Sequence, residues 1–287
     1  MHQKQVHIVS KLEKPIRLQE YGVGLFELVY TKSALKKALK KDYITVNGVH
    51  ATSATYINGG ETICLCIPED GNPKTKLKLK LNVLFEDDYL AVIYKPAGVL
   101  VSGNSFKTIA NALPQNLKRS TLPDATIHQP VHRLDYPTTG LLLIGKTNNS
   151  IRELNTLFEN KKIKKTYYAI TIGDMAPKGN ITSSIDGKQA QSNFTVKASV
   201  TSKRFSKLNL VKLKPKTGRK HQLRKHLLSI GNPILGDKDY GIDNLILKGK
   251  GLYLHAYSLK FTHPFTKKKM SFKDELPNKF KKIFEGK

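Results

Sequence analysis

The tightest constraint on the fold of this chain is a short apolar run, Leu141, Leu142, Leu143 and Ile144, that follows a polar turn. Pro137, Thr138, Thr139 and Gly140 punctuate its start, and a run so bounded has the length of a buried strand. Immediately before the turn the chain reads His132, Arg133, Leu134, Asp135. Arg133 and Asp135 therefore sit at the mouth of a core element. A lone aspartate before a strand is most often a cap or a salt-bridge partner, and the other reading is a carboxylate kept for chemistry.

Charge narrows the partners. Lys and Arg number 49 against 22 Asp and Glu, a formal charge of +27 in 287 residues. Such an excess predicts a polyanion, because every phosphate neutralised releases condensed counterions. Nucleic acid leads. A membrane partner is not expected, since no window approaches 18 uninterrupted apolar residues and no basic amphipathic terminus stands out. The first residues, "MHQKQVHIVSKLEKP", show neither a signal core nor a transit pattern, so a cytoplasmic protein is expected. Cys64 and Cys66 alternate about Leu65 on one strand face and read as reduced thiols rather than as a disulfide framework or a metal site. Only seven cations are arginine. Three of them, Arg133, Arg219 and Arg224, fall in "HRLD" and "KTGRKHQLRKH", where a planar bidentate donor has a use that lysine cannot fill.

The chain reads as two parts, 1–72 and 73–287, joined through the linker-like stretch "PEDGNPKTK" at 68–76. In the first, "TKSALKKALKK" puts Ala34, Leu35, Ala38 and Leu39 on one helical face and lysines, Lys36 and Lys37 among them, on the other. Most such lysine faces are simply solvated. Asn47 and Gly48 between alternating runs signal a type I′ hairpin. In the second part, "LKLKLNVLFEDDYLAVIY" predicts two strands turning at Glu86 to Asp88, with these acids solvated. A capping box from Ser150 to Glu153 opens a helix running to about Asn160. "KKTYYAITIG" is a strand, and 180–214 reads as further strands. A helix capped near Thr217 and stopped at Gly231 places Leu223, Leu227 and Ile230 on one stripe, with His221 and Arg224 on an adjacent face. Many strands and few helices predict an α+β fold with a mainly antiparallel, mixed sheet flanked by helices, and a small N-terminal α/β module.

Several chemistries drop out. The nine histidines show no H-E-x-x-H or zinc-finger spacing. There is no phosphate-binding loop, no dinucleotide fingerprint and no G-x-S-x-G elbow. No metal site is expected.

Five stretches then stand in order: "LFEDDYLAVIYKPAGVLV", "HRLDYPTTGLLLIGKT", "KKTYYAITIG", "KTGRKHQLRKHLLSIGNPILGDKDYG" and "LYLHAYSLKFTHPF". Together, over about Leu81 to Phe284, they resemble the RluA-type RNA pseudouridine synthases, with Thr139 where that family often has serine. The N-terminal part resembles an S4-like RNA-binding module, with Gly60 and Glu61 where Gly-Asp is common. The resemblance implies an isomerase that breaks the N1 to C1′ bond of a uridine in structured RNA and rejoins the ring through C5, without cofactor. Its substrate would be ribosomal RNA, with transfer RNA as the alternative, and the protein is expected to act as a monomer.

The same resemblance assigns roles. Asp135 matches the catalytic aspartate, and Arg224 the arginine expected to pair with it, in a bidentate grip that would lower its pKa and fix its direction. Tyr167 matches the active-site tyrosine, whose ring can stack on uracil near the C5 proton. Arg133 would fill the vacancy left by an extruded nucleotide. Lys36, Lys37, Lys165, Arg219 and His221 are expected to contact RNA, and Leu227 to wall the pocket. Two other readings stay open: a non-catalytic RNA-binding or ribosome-assembly protein on the same scaffold, and a glycosidic enzyme, which would want a second carboxylate nearby.

Overall fold

The computed structural model describes residues 3–67 and 77–284. The linker-like stretch 68–76, with the expected boundary at 72, lies outside the described residues. The chain divides into two compact units, Met1–Thr75 and Lys76–Lys287.

The first unit runs β1 (Gln3–Ile8), β2 (Ile16–Arg17), α1 (Leu18–Tyr21), α2 (Lys32–Lys40), β3 (Ile44–Val46), β4 (Val49–His50), β5 (Tyr56–Ile57) and β6 (Thr62–Ile67). Its main sheet has the order β1-β6-β3-β4. Thr31 caps α2 by accepting from the Ala34 amide, and Leu35, Ala38 and Leu39 turn inward, leaving the lysines outside. Asn47 and Gly48 both take positive φ, which the expected I′ turn between β3 and β4 requires. The Cys64 and Cys66 sulfurs lie 3.3 Å apart on one face of β6, as free thiols.

The second unit holds β7 (Asn82–Glu86), β8 (Leu90–Lys95), α3 (Ile109–Ala112), β9 (Ala125–Pro130), β10 (Thr139–Thr147), α4 (Asn148–Glu159), β11 (Lys164–Ile172), β12 (Lys178–Ile181), β13 (Ser192–Ser202), β14 (Ser206–Pro215), α5 (Gln222–Ser229), β15 (Leu254–Thr262), β16 (Lys269–Lys273) and α6 (Asn278–Phe284). One ten-stranded sheet follows the order β12-β13-β14-β11-β15-β10-β8-β7, with β16 beside β15 and β9 beside β10. Among these strands every pairing is antiparallel but one: β10 runs parallel to β15 over Thr139 and Gly140. The fold is thus the α+β class with a mainly antiparallel sheet. The run Leu141–Ile144 is its buried centre, each residue fully enclosed. Gly140 takes φ +115, and a Cβ there would collide with the Ala256 carbonyl, so only glycine lets β10 approach β15 so closely.

Three local expectations are corrected. The capping box of α4 is Thr147 with Ser150, one turn earlier than expected, because the Ser150 hydroxyl reaches back to the Thr147 amide. Residues 217–221 are not helical. The Thr217 hydroxyl accepts the Gln191 amide and donates to Gln222 Oε1, so it ties a loop to the residue before β13 rather than capping a helix. The acids of the β7–β8 turn are not merely solvated. Glu86 pairs with the buried Lys146 ammonium at 2.7 Å, and Asp87 accepts from the Tyr89 and Leu90 amides. Among the described residues no helix is long and apolar enough to cross a membrane.

Candidate active site

Asp135 lies in the loop that joins β9 to β10, and its side chain is 18% exposed. The loop closes locally through the Thr138 amide, which donates to the Asp135 carbonyl at 3.0 Å. It is anchored from below by Lys95 at the end of β8. The fully buried Lys95 ammonium donates to the carbonyls of Pro96, Tyr136 and Thr138 at 3.0, 3.1 and 2.8 Å. Burial pushes the Lys95 pKa down to about 8, against the pull of Asp135, so the ammonium stays charged at neutral pH. In the sequence Lys95 stands only as the first residue of a strand break. A lysine at the inner end of an apolar strand is the signal that could have found it.

A cleft of about 1380 Å³ opens at Asp135, and Arg133, Lys165, Tyr167, Arg219, His221 and Arg224 line it together with Asp135. Tyr167 and Lys165 come from β11, Arg224 from α5, and Arg219 and His221 from the loop before it. Burial first, and the neighbouring Asp135 carboxylate second, push the Tyr167 phenol well above its usual range, so it is neutral at pH 7. Burial lowers the Lys165 pKa, and its ammonium lies 5.6 Å over the Phe158 ring. His221 Nε2 stands 3.9 Å from Asp135, while its Nδ1 meets the Tyr240 hydroxyl at 2.9 Å. Arg133 is exposed, and Arg219 donates to the Gln189 carbonyl.

Arg224 is where expectation and structure differ most. Its Nη1 lies 3.6 Å from Asp135 Oδ2, a single long contact. The bidentate grip goes instead to Asp237, with Nε to Oδ2 at 2.7 Å and Nη2 to Oδ1 at 2.6 Å, while Nη2 also reaches Asp239 at 2.7 Å. The cause is the loop after α5, which brings two carboxylates to the inner edge of the guanidinium and leaves only its outer nitrogen for Asp135. Burial opposes charge on Arg224, but the hydrogen bonds to Asp237 and Asp239 outweigh it and raise its pKa. Asp237 and Asp239 stand within "GDKDYG", where no local pattern marks them as partners of an arginine. Only the folded loop brings them to Arg224.

One expected residue of the second unit is not brought to this cleft. Leu227 is fully buried in the core with Leu213, Leu223 and Leu254, one helical turn below the surface that Arg224 presents. Lys36 and Lys37 belong to the first unit, where they line a shallow hollow on α2 with Lys32 and Lys40. Among the described residues no group of three or more His, Cys, Asp or Glu is arranged to hold a metal ion.

Residues 89–229, which span both Asp135 and Arg224, match the family described as RNA pseudouridylate synthase. An uncharacterized RNA pseudouridine synthase of Aquifex aeolicus is 32% identical over 89% of this chain and 89% of its own length. The ribosomal large subunit pseudouridine synthase D of Buchnera aphidicola is 33% identical over 93% of this chain and 92% of its own. Among solved structures, human RNA pseudouridylate synthase domain containing 4 superposes with a TM-score of 0.55 at 28% identity, over 69% of this chain and 90% of that one. With this likeness running almost end to end, the chain belongs to the RluA-type RNA pseudouridine synthases, isomerases that convert uridine in RNA to pseudouridine.

Proposed function

We propose that the chain modifies a uridine of large-subunit ribosomal RNA, as a monomer in the cytoplasm, with Asp135 as the reacting group and without a cofactor. The observation that carries this reading is the cleft in which Asp135, Tyr167 and Arg224 share one basic wall. Relatives named for the large ribosomal subunit support the choice of RNA, as does the charge of +27.

The reaction breaks the N1 to C1′ bond, forms a bond from C5 to C1′, moves a proton off C5 and supplies one to N1. Asp135 starts it, either by attacking an electrophilic carbon or by removing a sugar proton, and leaves at the end. The single Arg224 contact at 3.6 Å orients the carboxylate without gripping it, so the oxygen remains free to move. Tyr167, neutral at pH 7, serves as the platform for the uracil ring while it turns. Arg133, exposed at the cleft, takes the place of the extruded nucleotide. The N-terminal unit acts as an S4-like clamp on RNA through Lys36 and Lys37.

The test is Asp135→Asn, assayed on transcripts of large-subunit ribosomal RNA and of transfer RNA. Asparagine keeps the volume but loses the charge and the nucleophile. Pseudouridine formation should fall below detection while RNA affinity stays within a few-fold, since phosphate contacts dominate binding. Stability should drop by about 1 kcal/mol or less, because Arg224 keeps Asp237 and Asp239. A folded Asn variant that works at the normal rate would sink the role of Asp135. Product in transfer RNA alone would overturn the ribosomal assignment.

A further inference from the structure

Successive side chains on a strand point to opposite faces of a sheet. On β11, Lys165 and Tyr167 share one face, so Lys164, Thr166 and Tyr168 share the other. The pairing register carries this second face across the neighbouring strands. Lys164 stands directly opposite Lys260 of β15, Ser258 of β15 stands opposite Lys273 of β16, and Tyr168 stands opposite Lys212 of β14, with Lys214 two residues on. Like charges directly opposite one another destabilise a sheet. None of Lys164, Lys212, Lys214, Lys260 and Lys273 has an acidic partner among the described residues. Burial first, and then Lys214, Lys197, Lys260 and Lys273, hold the Lys212 ammonium below the usual lysine range. The rings of Tyr168 and Tyr257 meet edge to face at 4.9 Å, and both line the same hollow as Lys212, Lys260 and Asp135.

A grid of cations that repel one another and find no acid among the described residues is stabilised by an anion from outside. We propose that this second sheet face is an RNA-contact surface, which takes the phosphates flanking the target uridine after the strand has left the Asp135 side of the hollow. The inference rests on the pseudouridine synthase reading and adds to it where the rest of the substrate lies. An extended polyanion fits better than an acidic protein, because the face is continuous with a cleft that already receives RNA.

The test uses the full chain carrying Lys212→Gln, Lys260→Gln and Lys273→Gln together. Two substrates are compared: a short hairpin around the target uridine, and the same hairpin with long flanks. Pseudouridine formation by the unaltered protein on both comes first, and its failure would count against the enzyme reading rather than this surface. On the long RNA the triple variant should raise KM by roughly tenfold near physiological salt and flatten the salt slope by about 2, at about 0.7 for each phosphate no longer neutralised. On the short hairpin KM should move less than about twofold on the same phosphate count. Unchanged KM on both RNAs, or equal rises on both, would overturn the proposal. Melting of Lys260→Gln alone is the second readout. It should match or exceed the unaltered protein, since a like-charge pair is relieved, and a clear fall would show that the lysine serves the fold instead.

Discussion

At the scale of single residues, the loop of Asp135 is held by groups that do no chemistry themselves. His255 is one of them. It is fully buried where β10 meets β15, with Nδ1 2.9 Å from the Thr139 hydroxyl and Nε2 3.3 Å from Asp274. Burial pushes its pKa down to about 4, so the folded protein holds it neutral well below the pH at which a free imidazole charges. An unfolded chain takes up that proton near pH ~6.5. As pH falls from about 6.5 the unfolded state binds a proton that the folded state refuses, and stability drops until the folded state also protonates near pH 4. Above the window the stabilisation is complete. Urea midpoints measured from about pH 7 down to about 4.5 should therefore decline, and His255→Gln should decline less steeply over the same range. Parallel slopes for the two proteins would show that His255 does not set the acid limit.

At the scale of elements, α5 and the loop after it make one mechanical unit through Arg224. Asp237 is fully buried beneath the guanidinium and also accepts the Asp239 and Tyr240 amides, whereas the Asp239 side chain is 64% exposed. Breaking a buried pair strands the remaining charge, so Asp237→Ala should cost about 3 to 5 kcal/mol. Asp239→Ala, at a solvated site, should cost about 1 kcal/mol or less. Comparable losses in chemical denaturation would refute this division of labour. The same unit shows what the sequence could carry. The strand Leu141–Ile144, the inward face of α2 and the cleft positions of Asp135, Tyr167 and Arg224 were legible, because local period and ordered motifs determine them. The partners of Arg224, the triple grip of Lys95 and the left-handed start of α5 at His221 were not. Each depends on a chain segment brought close only by the folded loop or sheet, and a side chain's best partner among several acids is decided by where those acids end up.

At the scale of the whole molecule, the chain is built as two units. The first has its own core around Leu18, Leu35, Ile44, Ile57, Ile63 and Leu65, and the second has separate cores on both faces of its sheet. Each unit thus buries apolar surface of its own, and the folding of one does not need the other's core. The contribution proposed for the first unit is binding, since Asp135, Tyr167 and Arg224 all lie in the second. On α2, Lys32, Lys36, Lys37 and Lys40 form one basic hollow, and among the described residues only Lys32 of these four has an acidic partner, Glu20 at 2.7 Å. If the other lysines meet phosphates, removing Met1–Thr75 should flatten the dependence of log affinity on log salt by about 2, at about 0.7 per contact for single strands. The truncated protein should melt within a few degrees of the second unit's transition in the intact chain. Its kcat at saturating RNA should stay within about twofold, because the groups around the uridine are untouched. The decisive comparison is the salt slope. Identical slopes for the intact and truncated proteins would leave the N-terminal unit without a hold on RNA, whatever its resemblance to an RNA-binding module, and a collapse of kcat with the slope unchanged would make it a brace for the catalytic unit instead.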